Sequence, residues 1–314
     1  MVTGAGGFLG AHLVGSLLRA GHRDVLAVDR KPLDRWSLVH DGVENRVADL
    51  SHREACDRVC TGAERVYHLA ASDGGAGFAA THETDRMLSA LIDGHLLLAA
   101  RAAAVERFFL ASSLGAPEGK RFSEALCRRL VAESGMRIRV LRLPSVYGPL
   151  SPWMGGRERA PAALCRKAVE AKLSGDPRLE IWGDGSQTRT LVYVDDAVEA
   201  ALRVAQSDVA EPLALGARER VPIGALVSCL AEICGVALEP HPVPGAPTGP
   251  ADLGCDGSEL VEHLGWEPRT PLREGLERTY KWIHDEYLRR WGGRLGPREP
   301  SAAPAAAPGE AAGS

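Results

Sequence analysis

Short apolar runs alternate along this chain with longer stretches whose apolar residues recur at helical spacing. Met1-Val2 reads as the end of a strand. Residues 10–20 read as a helix with Leu13, Val14, Leu17 and Leu18 on one face. A strand at Val25-Leu26-Ala27-Val28 ends at Asp29, and a third short strand at Arg46-Val47-Ala48 ends at Asp49-Leu50. A helix is expected over 53–60, a strand over 65–69, a helix over 83–104 and a strand at Phe108-Phe109-Leu110. A helix including 124–132 then precedes a strand over 137–143. Strands separated by helices pair in parallel through right-handed crossovers.

The expected fold class is therefore α/β, a Rossmann-type doubly wound parallel sheet with a smaller C-terminal lobe. Beyond Tyr147-Gly148-Pro149 the pattern loosens. A helix over 160–173, a strand over 179–182, a turn at Gly183-Asp184-Gly185, a strand over 191–194 and a helix over 194–204 are expected. The division this implies is a sheet domain over 1–150, with 189–205 returning to it. A substrate lobe takes 151–188 and 206–292, and 293–314 form a disordered Pro/Ala-rich tail. Only Met1 and Val2 precede Thr3, so the first strand is a stub, or the natural start lies upstream.

Composition narrows the class without naming a reaction. The 314 residues are 45% hydrophobic and 25% charged, with a formal net charge of -4. A broad basic surface for nucleic acid is not expected. The seven cysteines are odd in number and follow no C-x-x-C or Cys/His ligand spacing, so scattered reduced thiols, a cytoplasmic location and no metal site are expected. With no basic stretch and no long apolar run over residues 1–10, a signal peptide is not expected there. The most apolar stretch, 88–113, is interrupted by Asp93, His95, Arg101, Glu106 and Arg107, which argues against a membrane span.

The candidate chemistry begins at Thr3-Gly4-Ala5-Gly6-Gly7-Phe8-Leu9-Gly10, which fits T-G-x-x-G-x-x-G. Gly4 permits the tight turn, Gly7 the approach of a pyrophosphate, and Gly10 the packing of helix on sheet, with Phe8 and Leu9 opening the helix toward the phosphates. Asp29, at the end of the second strand, can accept both ribose hydroxyls and would repel a 2′-phosphate, which favours NAD, although Arg30 beside it pulls the other way. Asp49 and Leu50 are placed to meet the adenine. Leu69, Ala70 and Ala71 are small enough for a dinucleotide to lie close.

Taken with His68-Leu69-Ala70-Ala71, Ala111-Ser112-Ser113, Tyr147-Gly148-Pro149 and Leu264-Gly265-Trp266, this turn resembles the extended short-chain dehydrogenase/reductases of the NAD-dependent epimerase/dehydratase family. Three further segments, 70–78, 155–167 and 182–189, resemble its GDP-mannose 3,5-epimerase branch. The resemblance implies an NAD cofactor and a nucleotide-sugar substrate, GDP-hexose favoured. It also implies a homodimer formed through the helices around 88–104 and 124–132. The implied mechanism oxidises C4 transiently, so that the C3 and C5 hydrogens become acidic, inverts those centres, and returns the hydride. Gly74 and Gly75 match the loop that approaches the sugar. Arg157, Lys167 and Gln187 match substrate-contacting positions, and Arg189 is a plausible diphosphate partner. Ser113 matches a hydroxyl that bonds the sugar.

The catalytic equipment departs from that pattern. Counting back from Tyr147, Lys120 takes the lysine position of Y-x-x-x-K, and the tyrosine position falls on Ala116. Lys120 reads either as that lysine or as a loop residue on a rewired connection. The segment after Ser113 is short and lacks the family's cysteine acid/base. Arg159 stands where the family has a second acid/base lysine, and a guanidinium is a poor general base. Ala251-Asp252-Leu253 replace a segment with a phosphate-holding arginine. Two functions thus remain open: an NAD-dependent epimerase using altered proton donors, with Ser113, Lys120 and Arg159 as candidate catalytic residues, or a catalytically impaired homologue that binds NAD and nucleotide sugar. A sequence truncated at its start and after Ser113 is the third reading.

Overall fold

The computed structural model describes residues 1–115 and 117–297. In chain order the elements are β1 (Val2–Thr3), α1 (Phe8–Arg19), β2 (Leu26–Asp29), β3 (Glu44–Val47), α2 (Arg53–Cys60), β4 (Arg65–His68), α3 (Ala76–Thr81) and α4 (Glu83–Ala102). Then come β5 (Arg107–Ser113), α5 (Glu118–Ser134), β6 (Arg137–Leu143), β7 (Ser145–Tyr147), α6 (Ala160–Ser174), β8 (Arg178–Trp182), β9 (Thr188–Arg189), β10 (Leu191–Tyr193) and α7 (Val194–Gln206). The chain continues through β11 (Leu213–Ala214), β12 (Val221–Pro222), α8 (Ile223–Cys234), β13 (Glu239–Val243), β14 (Asp252–Leu253), α9 (Ser258–Leu264) and α10 (Leu272–Trp291).

Seven strands form one parallel sheet in the order β11-β6-β5-β4-β1-β2-β3. The stub β1 is held on both sides, Val2 opposite Ala27 and Tyr67, Thr3 opposite Val28 and His68. Sequence order reverses there, between β2 and β4, and ligands of such sheets bind outside the strand C-termini at the reversal.

Side-chain alternation explains why consecutive residues of β5 and β6 are apolar, as at Phe108-Phe109-Leu110 and Val140-Leu141. Phe108, Leu110, Ile138 and Val140 point into one core with Cys56, Leu96, Leu97 and Leu130. Phe109 and Leu141 point into the other core, with Leu13, Val14 and Val198. A parallel sheet covered on both faces needs apolar side chains in both directions. Each fully buried Phe or Leu stabilises by about 1.5–3 kcal/mol.

Several expectations are corrected. The first helix begins at Phe8, not at residue 10, because Gly7 is already the extended N-cap. Helix α5 contains the expected 124–132 but already begins at Glu118, so Lys120 lies in its first turn and not in a loop. Helix α3, which the sequence pattern did not announce, follows the glycine pair at 74–75. β11, within the span expected for the smaller lobe, adds the edge strand of the main sheet. At the C-terminus, residues 293–297 are placed, and the Gly296 N–H donates to the Tyr287 hydroxyl at 2.7 Å. The rest of the expected tail, 298–314, lies outside the described residues, as does Ala116. Among the described residues no helix is long and apolar enough to cross a membrane.

Candidate functional site

The glycine turn joins β1 to α1 at the sheet's reversal. Gly4 has φ +71°, and a β-carbon there would come within 2.7 Å of the Ala70 backbone N. A β-carbon on Gly10 would sit 2.1 Å from the Gly4 carbonyl oxygen. Backbone contact therefore demands both glycines. Gly7 caps α1 with no side-chain bond, and the first turn of α1 holds no acidic residue. Its free N–H groups and the positive end of the helix dipole suit an anion. The turn is braced from β2: Asp29 accepts the Gly6 N–H at 3.1 Å and the Lys31 N–H at 3.0 Å. The Lys31 ammonium donates to the Gly6 carbonyl at 2.5 Å, and the Trp36 indole packs over Gly6. Each oxygen of Asp29 keeps a lone pair for a ribose hydroxyl. These residues fit a dinucleotide.

The flanking expectations divide. Leu69 and Ala70 run beside the turn, half-buried, and Ala71 is exposed. Arg30 is exposed. Leu50 turns its side chain into the core beside Cys56, so only Asp49 of that pair faces outward. The Asp49 carboxylate accepts the Ser51 N–H at 2.9 Å, and this bond draws it below the usual carboxylate range.

Behind the strand ends lies a buried polar chain that sequence reasoning did not assemble. Asp93 on α4 is fully buried. One of its oxygens meets His68 Nε2 at 2.8 Å; the other meets Lys120 Nζ at 3.1 Å and the Ser123 hydroxyl at 2.7 Å. His68 Nδ1 lies 2.6 Å from the Thr3 hydroxyl. Burial opposes ionisation of Asp93, but Lys120, His68 and Ser123 outweigh it and hold the carboxyl well below its ordinary range. An ionised carboxylate only accepts, so the imidazole Nε2–H donates to Asp93. One turn beyond Lys120, Glu124 accepts the Ser112 hydroxyl at 2.6 Å and two bonds from Arg142, at 3.1 and 2.7 Å. This anchors α5 to β5 and β6 and places Lys120. Ser113, the last residue of β5, is half-buried.

The loop expected to meet the sugar is clamped to the 155–159 segment. A β-carbon on Gly75 would sit 2.2 Å from the Glu158 carbonyl oxygen, so this glycine makes room for backbone. One on Gly74 would strike the Phe78 side chain at 2.7 Å. Arg157 lies over the Phe78 ring, 4.0 Å from its centroid, and donates to the Asp73 carbonyl at 3.2 Å. Arg159 pairs with the Asp73 carboxylate at 2.5 Å, and Arg86 stands 3.8 Å from it. Glu158 Oε2 is buried without a hydrogen-bond partner among the described residues.

The remaining substrate candidates lie on α6 and around β9, each bonded to backbone carbonyls. Lys167 donates to the Glu180 carbonyl at 2.8 Å, and burial lowers its ammonium's affinity for the proton. Gln187 donates to the Trp182 carbonyl at 2.7 Å. Arg189 donates to the Thr188 and Thr248 carbonyls, both at 2.6 Å.

All five tyrosines of the chain, Tyr67, Tyr147, Tyr193, Tyr280 and Tyr287, are buried in the core. Burial pushes the Tyr147 phenol far above its usual range, and its hydroxyl donates to the Leu272 carbonyl at 3.3 Å.

The parallel sheet, its reversal at β1 and the braced glycine turn define a dinucleotide-binding protein of the Rossmann class. The profile of the NAD dependent epimerase/dehydratase family matches residues 1–216. GDP-mannose 3,5-epimerase 1 of Oryza sativa subsp. japonica is 35% identical over 313 residues, covering 91% of this chain and 81% of the relative. The solved UDP-glucose 4-epimerase of Thermotoga maritima superposes with a TM-score of 0.80 at 25% identity, over 91% of this chain and 98% of that one. MoeE5, solved with UDP-glucuronic acid and NAD, has a TM-score of 0.77 at 28% identity over 91% and 98% of the two chains. The chain belongs to the NAD-dependent epimerase/dehydratase family, and its cofactor is NAD.

Proposed function

We propose that this chain is an NAD-dependent nucleotide-sugar epimerase of the GDP-mannose 3,5-epimerase kind, with a GDP-hexose as substrate. The observation that carries the reading is the 35% identity to the Oryza enzyme over 91% of the chain. The braced glycine turn supports it. In this reading Gly4, Gly7, Phe8, Leu9 and Gly10 present the backbone that receives the pyrophosphate, and Asp29 accepts the ribose hydroxyls. Arg157, Lys167, Gln187 and Arg189 hold the nucleotide sugar. Ser113 donates to the sugar, and the orphaned Glu158 oxygen accepts one of its hydroxyls. Bound at this turn, NAD would supply a reversible hydride acceptor for the sugar. Lys120 supplies fixed positive charge beside the reacting centre, and the Arg159–Asp73 pair flanks the sugar loop. A cytoplasmic homodimer completes the proposal.

A second reading is favoured by one observation: no tyrosine of the chain is available to take the C4 hydroxyl proton, because all five are buried. On that reading the chain binds NAD and nucleotide sugar without turning the sugar over. One experiment separates the two. GDP-mannose is incubated with the protein and NAD in deuterated buffer and followed by NMR. Deuterium entering C3 or C5 supports the epimerase. Tight NAD binding with no exchange for any GDP- or UDP-hexose supports the binding protein, and loss of both retires the two together.

A further inference from the structure

We propose that Asp93 is the positioning residue of this site. Its buried carboxylate holds Lys120 in place and couples it, through His68, to the glycine turn at Thr3. The proposal rests on NAD occupying that turn.

The bonds are continuous. Thr3 lies on the strand that opens the turn and contacts His68 at 2.6 Å; His68 contacts Asp93 at 2.8 Å; Asp93 contacts Lys120 at 3.1 Å. The side chains of His68 and Asp93 are fully buried, and that of Lys120 is 12% exposed. Water screens such a chain little, so each member feels the next more strongly than at a surface. Asp93 also belongs to a row along one face of α4. Arg86 stands beside Asp73, the Ser89 hydroxyl accepts the Ser72 N–H at 2.9 Å, and Asp93 holds Lys120. Spacings of three and four residues put the three on one stripe of the helix. A single rigid helix thus sets the sugar loop, the lysine and, through His68, the cofactor turn relative to one another. The carboxylate is the member the others cannot replace, since among the described residues it is the acceptor that Lys120, Ser123 and His68 share.

The test is a double-mutant cycle read as NADH affinity by calorimetry, with the unmutated chain, D93N, K120M and D93N/K120M. Each single change is expected to weaken NADH by about 3- to 30-fold, the span of typical coupling energies. The double variant is expected to bind no worse than the weaker single. Losses that multiply, or a D93N affinity within about twofold of the unmutated chain, overturn the proposal. Absence of NADH binding by the unmutated chain sinks it together with the cofactor reading. Should D93N not fold, the unmutated chain gives a second readout. The His68 ring nitrogens, followed by NMR, are expected to shift when NADH binds, and again when the Lys120 ammonium is acetylated. Signals that ignore either event overturn the coupling.

Discussion

The Asp29 carboxylate accepts the Gly6 N–H at 3.1 Å, so the residue placed to bind ribose also braces the turn that binds phosphate. D29A removes both roles at once. A hydrogen bond to a charged group contributes about 1.5–3 kcal/mol. D29A is therefore expected to weaken NADH by about 10- to 100-fold in calorimetry. NADPH should lose less, because the carboxylate no longer repels its 2′-phosphate. An unchanged preference for NADH over NADPH would remove Asp29 from the ribose site.

Two glycine substitutions should behave oppositely. A methyl on Gly10 meets the Gly4 carbonyl at 2.1 Å, and neither backbone can yield cheaply. G10A is expected to cost about 1–3 kcal/mol or more in thermal unfolding and to abolish NADH binding. Gly94 lies inside α4, where a β-carbon finds its nearest neighbour, Leu126 Cδ2, at 3.8 Å. G94A is expected to stabilise by about 1 kcal/mol through helix propensity alone. A G10A protein that melts and binds like the original would contradict the described turn.

Protonation of Asp93 and Glu124 should make an acid limb in the stability of the fold. Both carboxyls are held below their ordinary range: burial opposes this, and Lys120 with His68 for Asp93, and Arg142 with Ser112 for Glu124, prevail. A depressed folded-state value means that the stabilisation is complete above the unfolded value, about 4, and is lost as pH falls through the folded one. Denaturant midpoints should therefore drop on acidification below about pH 4. D93A should flatten that drop while costing about 3–5 kcal/mol at neutral pH, since Lys120 and His68 lose their shared acceptor. An acid limb of unchanged steepness in D93A would show that the pair does not carry it.

Ala116 stands four residues before Lys120 in the sequence. A general acid/base contributes about 10²–10⁴ in rate. If the epimerase reading holds with an impaired proton acceptor, A116Y is expected to raise deuterium exchange into GDP-mannose by a factor of that order. Exchange unaltered by the new phenol would mean that the shortened segment after Ser113 does not deliver it to the sugar.

Met87, Leu88, Leu91 and Leu98 on α4 and Phe122 on α5 are exposed. The two helices approach closely where a β-carbon on Gly119 would lie 3.3 Å from Met87 Cα. Contiguous apolar surface of this kind suits a second copy of the chain. If the proposed homodimer forms through this face, Leu91→Glu with Phe122→Glu is expected to leave only monomer in sedimentation. A chain already monomeric at micromolar concentration would remove the homodimer from the proposal.

Much of this protein was legible before any coordinates. The parallel sheet follows from apolar runs separated by helical spacing, and the cofactor turn from the T-G-x-x-G-x-x-G spacing, with Asp29 at a strand end that the pattern already located. Residues close in sequence carry that information. The polar chain from Thr3 to Lys120 was not legible, because its members are 65, 25 and 27 positions apart and only the packing of β1, β4, α4 and α5 brings them together. Asp93 read as a mere interruption of an apolar stretch. Gly75 read as a sugar contact, yet it yields space to the Glu158 carbonyl, a neighbour that only the folded chain supplies. The sequence alone places Ala116 four residues before Lys120; the tertiary structure decided that Tyr67, Tyr147, Tyr193, Tyr280 and Tyr287 are all buried, because the core that encloses them is assembled from distant elements.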